Sequence, residues 1–177
     1  FCSTVLSVFT GYVVAYTVVR GPFFGKKLFS FMPLLHLVTP PFVSGLAFIL
    51  LFGKQGIITK DLLHLDISLY GFPGLLLAQT LCFFPVAYVI LKQNLENIPS
   101  SLEQAARAMG ASSWNVFRRI TFPLSVPGLI SSALFIAISV LSDFGNPMLI
   151  GGRFRVLSVE IYTQISGWTN SETSAAL

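Results

Sequence analysis

The sequence has little charge. Only 10% of its 177 residues are Asp, Glu, Lys or Arg, whereas 54% are hydrophobic. A soluble domain carries about 25% charged residues, so this composition excludes an ordinary soluble protein and makes a lipid bilayer the expected solvent. The net charge of +4 does not point to nucleic acid, because the basic residues lie at the ends of apolar segments, where they suit lipid headgroups.

Residues of catalytic and metal sites are also scarce. Cys2 and Cys82 lie in different apolar stretches, without the spacing of a disulfide framework or a metal site. His36 lies in an apolar segment and His64 in a polar link, and we expect neither to bind a metal. The sequence contains no nucleophile–base pair or phosphate-binding loop, so an enzyme is not expected.

Four long apolar segments match the length of a membrane-crossing helix. A bilayer core needs about 20 apolar residues in a helix. None of the four contains Asp, Glu, Lys or Arg, and none alternates as barrel strands do. They cover residues 2–19, 28–52, 70–91 and 124–141, and a fifth begins near Ala175. The sequence therefore predicts an all-α, polytopic transmembrane helical bundle, formed as one domain over residues 1–177 of a longer protein. Four prolines inside the segments are expected to kink them: Pro40, Pro41, Pro73 and Pro85.

Basic residues predict the orientation of the segments. By parity, the links after the first and third segments lie on one face. That face carries seven basic residues, whereas the opposite face carries four. Loops rich in Lys and Arg stay in the cytoplasm, so we expect Lys26 and Arg107 to be cytoplasmic and Lys60 to lie outside.

A polar unit separates the third and fourth segments. It covers about residues 93–123 and contains "SLEQAARAMGASSWNVFRRITFP". The stretch "LEQAARAM" is rich in strong helix formers, and Gly110 follows at the position of a helix C′ glycine. The pattern predicts a helix, a glycine turn and a second short helix on the cytoplasmic face.

Serines and a proline mark the predicted ends of these two short helices. The serine pair at 100–101 offers a cap for the first helix, with Glu103 or Gln104 closing a capping box. The serine pair at 112–113 offers a cap for the second helix. Pro123 is expected to stop the second helix just before the fourth apolar segment begins.

Small side chains on the first short helix favour docking onto a partner. Ala105, Ala106 and Ala108 allow a close approach, and Leu102 and Met109 offer apolar contact. The alternative is an amphipathic helix that lies on lipid headgroups. Alanines contribute little to lipid insertion, so the residues favour docking.

Five residues of the unit have a distinctive spacing: Ala105, Ala106, Gly110, Ile120 and Pro123. This spacing resembles the cytoplasmic signature of permease subunits of binding-protein-dependent, ATP-driven ABC importers, the MetI-like permease superfamily. The chain departs from that signature with Gln104 at a usually acidic position and Phe122 at a usual leucine.

The resemblance implies a coupling helix that docks into a cytoplasmic ABC ATPase dimer. It also implies a periplasmic substrate-binding protein, a second permease half or subunit, and a place in the bacterial inner membrane. ATP would be bound by the ATPase, so no cofactor is expected in this chain. The residues that it assigns to ATPase docking are Glu103, Gln104, Ala105, Ala106, Arg107, Met109, Gly110 and Pro123.

A second polar stretch, residues 142–165, follows the fourth apolar segment. Asp143 lies at its start, after Ser142. An Asn-Pro pair at Asn146 and a Gly-Gly pair at Gly151 and Gly152 are turn signals. Irregular polar backbone at membrane depth is tolerated where it packs in protein or lines a water-filled path. We hypothesise that these four residues line the translocation path. The alternative is that Asp143 and Asn146 are helix-end and turn residues at the outer interface.

This stretch resembles the iron(III)-type branch of the superfamily, which implies ferric iron as the substrate. Related branches carry sulfate, molybdate, phosphonate or polyamine, and these stay open. A gradient-driven secondary transporter is a rival from another class. Such proteins usually rely on ionisable groups inside the membrane, and apart from His36 the four segments contain none. A membrane scaffold, a second rival, would not need the spacing of the polar unit.

Overall fold

The computed structural model describes residues 1–22, 24–53, 56–62, 70–152, 154 and 156–167. Over these ranges the chain is helical and contains no strand, which confirms the predicted fold class. The fifth apolar segment, expected to begin near Ala175, lies outside the described residues. The described helices are α1 (Cys2–Arg20), α2 (Lys26–Leu37), α3 (Pro41–Phe52), α4 (Phe72–Glu96), α5 (Ser100–Ala108), α6 (Ser113–Val116), α7 (Phe122–Ser142), α8 (Gly145–Ile150) and α9 (Leu157–Gly167), with π-helical segments at Ile57–Leu62 and Phe117–Thr121.

The core of the bundle lies between α1, α4 and α7. Helices α1 and α4 run in the same direction, because Ser3 contacts Gln79 at one end and Arg20 contacts Leu95 at the other. Helix α7 runs the opposite way and brings Asp143 to Gln79. The bundle therefore has an Arg20 end and an Asp143 end, and the links after α1 and α4 share the Arg20 end, as parity predicted.

A glycine brings α1 and α4 into close contact. A Cβ atom on Gly11 would lie 2.7 Å from Cβ of Ala87 and 2.9 Å from the backbone nitrogen of Tyr88, so a larger residue does not fit without a shift. Close packing of this kind drives helix association in lipid, where the hydrophobic effect between helices is absent. The buried side chains around this contact include Ala15, Val18, Leu91, Leu95 and Ile136.

The second apolar segment is not one helix, so the prediction of a single crossing over residues 28–52 is wrong. Helix α2 ends at Leu37 and α3 begins at Pro41. Neither Pro40 nor Pro41 has an N–H to donate, and a proline disfavours helical backbone in the residue before it. A double proline therefore breaks the helix, where a kink was expected.

The fourth segment begins earlier than predicted. The helical rod is continuous from Ser113 to Ser142, so the prediction that Pro123 stops the second short helix is wrong. A π-helical turn at Phe117–Thr121 precedes the proline, and Phe122 N–H donates to the Phe117 carbonyl. Such a turn shifts the backbone hydrogen bonds by one residue, and Pro123 then lies in the first turn of α7.

Among the residues that the structure describes, four stretches have the length and hydropathy of membrane-spanning helices: Cys2–Arg20, Val43–Lys60, Phe72–Glu96 and Ser113–Ser142. The number of spans agrees with the four predicted crossings. The second span lies closer to the C-terminus than the predicted range of residues 28–52. Pro73 lies in the first turn of α4, where a missing N–H is tolerated, so it begins the helix rather than kinking it. Pro85 lies inside α4 and is buried.

Candidate functional site

The polar unit at the Arg20 end contains the predicted glycine turn. Gly110 has φ of +84°, a left-handed conformation that costs other residues about 1 kcal/mol or more. Its N–H donates to the Arg107 carbonyl at 2.9 Å, and the Ala111 N–H donates to the Ala106 carbonyl at 3.0 Å. This pair of bonds is a Schellman motif. It fixes the angle between α5 and α6, and the predicted C′ glycine is confirmed.

The two short helices begin differently. Ser112 caps α6, because its Oγ accepts a 3.3 Å hydrogen bond from the Asn115 N–H, as predicted. The capping box predicted for α5 is wrong: α5 begins at Ser100, Pro99 occupies the N-cap position, and no side chain caps the helix. The side chain expected to close that box, Glu103, points into the protein instead.

Glu103 is the buried anchor of α5. It is 5% exposed, and its Oε1 lies 2.9 Å from Arg20 Nε. The N–H of Nε is not aligned with this oxygen, so the contact is an ion pair rather than a directed hydrogen bond. Thr121 Oγ1 donates a 2.9 Å hydrogen bond to the same oxygen, and Arg107 lies 3.9 Å from Oε2. One carboxylate thus joins α5 to the end of α1 and to the π-helical turn before α7.

Arg20 also binds the end of α4. Its Nη2 donates to the carbonyls of Leu95 at 3.2 Å and Ile98 at 3.1 Å. The last carbonyls of a helix have no partner within the helix and carry partial negative charge, so a cation stabilises them. Arg20 therefore lies between two acceptors, a helix C-terminus and a buried carboxylate. From the sequence, Arg20 indicates only the orientation of the first segment, because nothing in its spacing points to a partner 83 residues away.

The predicted docking residues divide between buried and exposed positions of α5 and the segments that follow it. Ala106 is 8% exposed and, like Glu103, faces the rest of the chain. Met109, which follows α5, is 83% exposed. The exposed members of the predicted set are Gln104, Ala105, Arg107, Met109, Gly110 and Pro123, and Leu102 joins them.

Aromatic rings attach α6 to α1. The ring centroids of Trp114 and Phe117 are 5.5 Å apart, and those of Tyr16 and Phe117 are 5.2 Å apart. Tyr12 adds a 3.0 Å hydrogen bond between its hydroxyl and Ser125 Oγ. The polar unit is therefore packed against the membrane helices at both α5 and α6.

The Asp143 end contains a second buried carboxylate. Asp143 is 7% exposed, and its Oδ2 accepts 3.0 Å hydrogen bonds from Gln79 Nε2 and Asn146 Nδ2. Its Oδ1 accepts a 3.3 Å bond from the Asn146 N–H. Gln79 Oε1 in turn accepts a 2.7 Å bond from Ser3, and the Asp143 carbonyl accepts from Ser158. The network connects the ends of α1, α4 and α7 with α8 and α9.

A cavity of about 250 Å³ lies beside this network. Ser3, Gln79, Asp143 and Ser158 supply polar groups to its wall, and apolar side chains supply the rest. Asn146 is fully buried, and its Oδ1 has no hydrogen-bond partner among the described residues. The structure thus brings together two of the residues predicted from the sequence, Asp143 and Asn146. It also adds Gln79 and Ser3, for which the sequence has no signal.

The two glycines of the predicted path lie farther along the same segment. Gly151 is buried, and its N–H donates to the Pro147 carbonyl at 2.8 Å. Gly152 has φ of +57° and is exposed. They form the turn that the sequence indicated after α8. Neither of them is among the residues that line the cavity.

Within the described ranges, no group of three or more His, Cys, Asp and Glu side chains is arranged to hold a metal ion. His64, one of the two histidines considered from the sequence, lies outside the described residues. His36 Nε2 lies 3.5 Å from Ser44 Oγ, so its described polar contact is a hydroxyl.

Residues 7–176 match the family described as the inner membrane component of binding-protein-dependent transport systems. The ferric transport system permease protein FbpB of Actinobacillus pleuropneumoniae is 40% identical over 153 residues, which cover 84% of this chain and 22% of that protein. The molybdenum transport system permease protein ModB of Haemophilus influenzae is 34% identical over 170 residues, which cover 93% of this chain and 74% of that protein. The chain thus spans less than a quarter of the length of the curated ferric relatives that it matches.

The fold is similar to that of a solved transporter. A chain of the MetNI methionine ABC transporter, in an inward-facing conformation, aligns with 98% of this chain and 82% of its own length, with a TM-score of 0.67 and 19% sequence identity. The family match covers nearly the whole chain, and the four candidate spans agree with it. The chain therefore belongs to the family of inner membrane components of binding-protein-dependent transport systems, and it is a multi-pass membrane protein with the MetI-like permease fold.

Proposed function

We propose that this chain forms a permease domain of an ATP-driven ABC importer in a bacterial inner membrane. The observation that carries the proposal is the polar unit. Its first helix, α5, is fixed from within by Glu103 and stopped by a Schellman turn at Gly110, while Leu102 and Met109 remain exposed. A rigid helix with an exposed apolar edge at the end of a membrane bundle suits docking onto a second protein.

The proposed partner of α5 is a cytoplasmic ABC ATPase dimer. The ATPase would contact the exposed side chains of the polar unit, namely Gln104, Ala105, Arg107 and Met109. Glu103 and Ala106 would hold α5 against the rest of the chain, and Gly110 would set the turn after it. Pro123 would lie in the first turn of α7, in the continuous helix from Ser113 to Ser142 that would transmit a movement of the ATPase into the membrane. ATP would be bound and hydrolysed by the ATPase, so this chain would have no cofactor and no catalytic residue of its own.

Two further partners follow from the same proposal. A periplasmic substrate-binding protein would deliver the substrate to the Asp143 end, in keeping with the description of the family. A second permease half or subunit would complete the path. The curated ferric relatives are more than four times as long as the region they share with this chain, which leaves room for a second half in proteins of that kind.

The proposed substrate is ferric iron. The ferric relatives are 40% identical to this chain, against 34% for the molybdenum permease of Haemophilus influenzae. Asp143, Asn146, Gly151 and Gly152 would lie beside the route. Asp143 lines a cavity at the end where the substrate would enter, and a carboxylate at the mouth of a low-dielectric path attracts cations.

Molybdate is the second candidate. The molybdenum relative shares 74% of its own length with this chain, a far larger share than the ferric relatives do. In that case the donors around Asp143 would matter more than its charge, because Gln79 and Asn146 present amide N–H groups and an oxyanion accepts hydrogen bonds.

Uptake by cells decides between the two substrates. The source strain, a strain that lacks the full-length protein and a complemented strain are compared for uptake of radiolabelled ferric iron and radiolabelled molybdate. We expect loss of ferric uptake alone in the deletion strain and its recovery on complementation. Loss of molybdate uptake alone would assign the second candidate. If both rates were unchanged, neither substrate would be correct.

A further inference from the structure

We propose that the buried pair Arg20–Glu103 is the link through which a displacement of α5 reaches α1. The inference rests on the proposed function, because it concerns how the docking helix moves the membrane bundle. It assigns positioning roles to two residues that do not contact the substrate or ATP.

The chain connectivity makes such a link necessary. Helix α5 follows α4 after three residues and leads into α6 and α7 through the Gly110 turn, so a push on α5 reaches these helices along the backbone. Helix α1 is more than 75 residues away along the chain. A force on α5 can reach α1 directly only through side chains that join the two helices.

The geometry of Glu103 suits this role. Its Oε1 contacts Arg20 at 2.9 Å and Thr121 at 2.9 Å, so one atom joins α5 to α1 and to the turn that begins the fourth span. Both partners of the ion pair are largely buried, with side-chain exposures of 16% for Arg20 and 7% for Glu103. Water screens a buried pair far less than an exposed one, so the attraction between these two side chains is stronger than that of a surface pair at the same distance.

Arg20 extends the link to the end of α4. Its Nη2 donates to the carbonyls of Leu95 and Ile98, which lie just before α5 begins. Arg20 contacts the carboxylate through Nε and both carbonyls through Nη2, and the single ammonium of lysine cannot match that spread of nitrogen positions. Four elements therefore meet at one cation and one anion: α1, the end of α4, α5 and the turn before α7.

Two variants test the link in the full-length protein, assembled with its ATPase and binding protein in lipid vesicles. Glu103→Gln removes the negative charge and keeps the size and shape of the side chain. Arg20→Lys keeps the positive charge but replaces the guanidinium group with a single ammonium. The measured quantity is the substrate transported per ATP hydrolysed, for complexes that contain the same amount of ATPase. We expect this ratio to fall by roughly two- to thirty-fold in each variant, the range found for residues that couple two sites. The combination of both changes should be no worse than the worse single change, because each breaks the same link.

A matched control lies at the same end of the bundle. Lys92 and Glu96 are one turn apart on α4, 3.9 Å from each other, and Glu96 is half-exposed. Because this pair lies within one helix, Glu96→Gln should leave the ratio unchanged.

The outcomes separate three explanations. A lower ratio in both variants with normal ATPase content supports the link. If the pair only stabilises the fold, the variants will yield less complex but each complex will transport normally per ATP, which overturns the inference. If the unmodified protein neither binds an ATPase nor transports with ATP, the proposed function fails, and that result is visible before any variant is made.

Discussion

Gln79 and Asp143 are 64 residues apart in the chain, yet Gln79 Nε2 donates a 3.0 Å hydrogen bond to Asp143 Oδ2 in the buried network at the Asp143 end. Every donor that contacts the Asp143 carboxylate in the described structure belongs to an amide, either a side chain or the backbone. The carboxylate therefore acts as an acceptor that holds helix ends together as well as a charge beside the cavity.

Asp143→Asn is expected to destabilise the protein. The substitution replaces an acceptor oxygen with an NH₂ group that faces the donors of Gln79 and Asn146, and an unsatisfied buried polar group costs about 1–3 kcal/mol. The midpoint of thermal unfolding in detergent should therefore fall. Gln79→Leu should lower it too, whereas Gln93→Leu, at an exposed position of the same helix, should not. An unchanged midpoint for Asp143→Asn would show that the network does not stabilise the fold, and any change in uptake would then come from the charge.

Gly110→Val is expected to weaken ATPase binding through the backbone alone. A Cβ atom at Gly110 would meet no atom within 4 Å, but φ is +84°. The left-handed conformation costs about 1–2 kcal/mol for a residue with a side chain, so the turn would rearrange and tilt α5. Gly110→Asn should be milder, because Asn tolerates this conformation. Co-purification of the ATPase measures the effect.

Gly145→Ala is the matched control for Gly110. A Cβ atom there also meets nothing within 4 Å, and its φ is not positive. ATPase binding should be normal. Equal losses for the control and for Gly110→Val would contradict the role assigned to the turn.

Met109→Asp should reduce ATPase binding without disturbing the fold. Met109 is 83% exposed, so the free protein tolerates a charge there. In the complex the carboxylate would be buried without a partner, which costs enough to weaken binding by roughly tenfold or more. Ala106→Trp should act differently, because Ala106 is buried inside this chain and a large ring would disturb the fold itself. Thermal unfolding and ATPase co-purification, measured together, separate the two effects.

Accessibility to an impermeant thiol reagent tests the orientation. Lys26, Lys60 and Arg107 are exposed in the described structure. Each is replaced by a single cysteine in a protein that lacks Cys2 and Cys82. Labelling of intact spheroplasts should modify the cysteine at position 60 and spare those at 26 and 107. The reverse pattern would place the polar unit outside the cell and remove the basis for ATPase docking.

The sequence predicted features that depend on local chemistry. The number of membrane spans follows from apolar length, and the turn at Gly110 and the Ser112 cap follow from residues with strong positional preferences. The break between α2 and α3 exceeds the kink predicted from single prolines, because two adjacent prolines remove two backbone donors in succession. The rod through Pro123 depends on a π-helical turn, for which the sequence has no clear signal.

Long-range polar contacts could not be predicted. Glu103 has the spacing of a capping residue, and only the fold shows that Arg20 competes for it. Gln79 has no distinguishing neighbours in an apolar helix, and its partner lies on a different helix. In both cases the contact depends on how the helices pack, which hydrophobic periodicity does not specify.

We propose that this chain moves its substrate with energy from ATP bound on another protein. The most direct measurement is uptake of radiolabelled ferric iron into vesicles that contain the full-length protein, its ATPase and its binding protein, with no ion gradient across the membrane. We expect uptake that starts with ATP, stops with a non-hydrolysable analogue and falls with Met109→Asp. Uptake that needs no ATP and follows a proton or sodium gradient would contradict it.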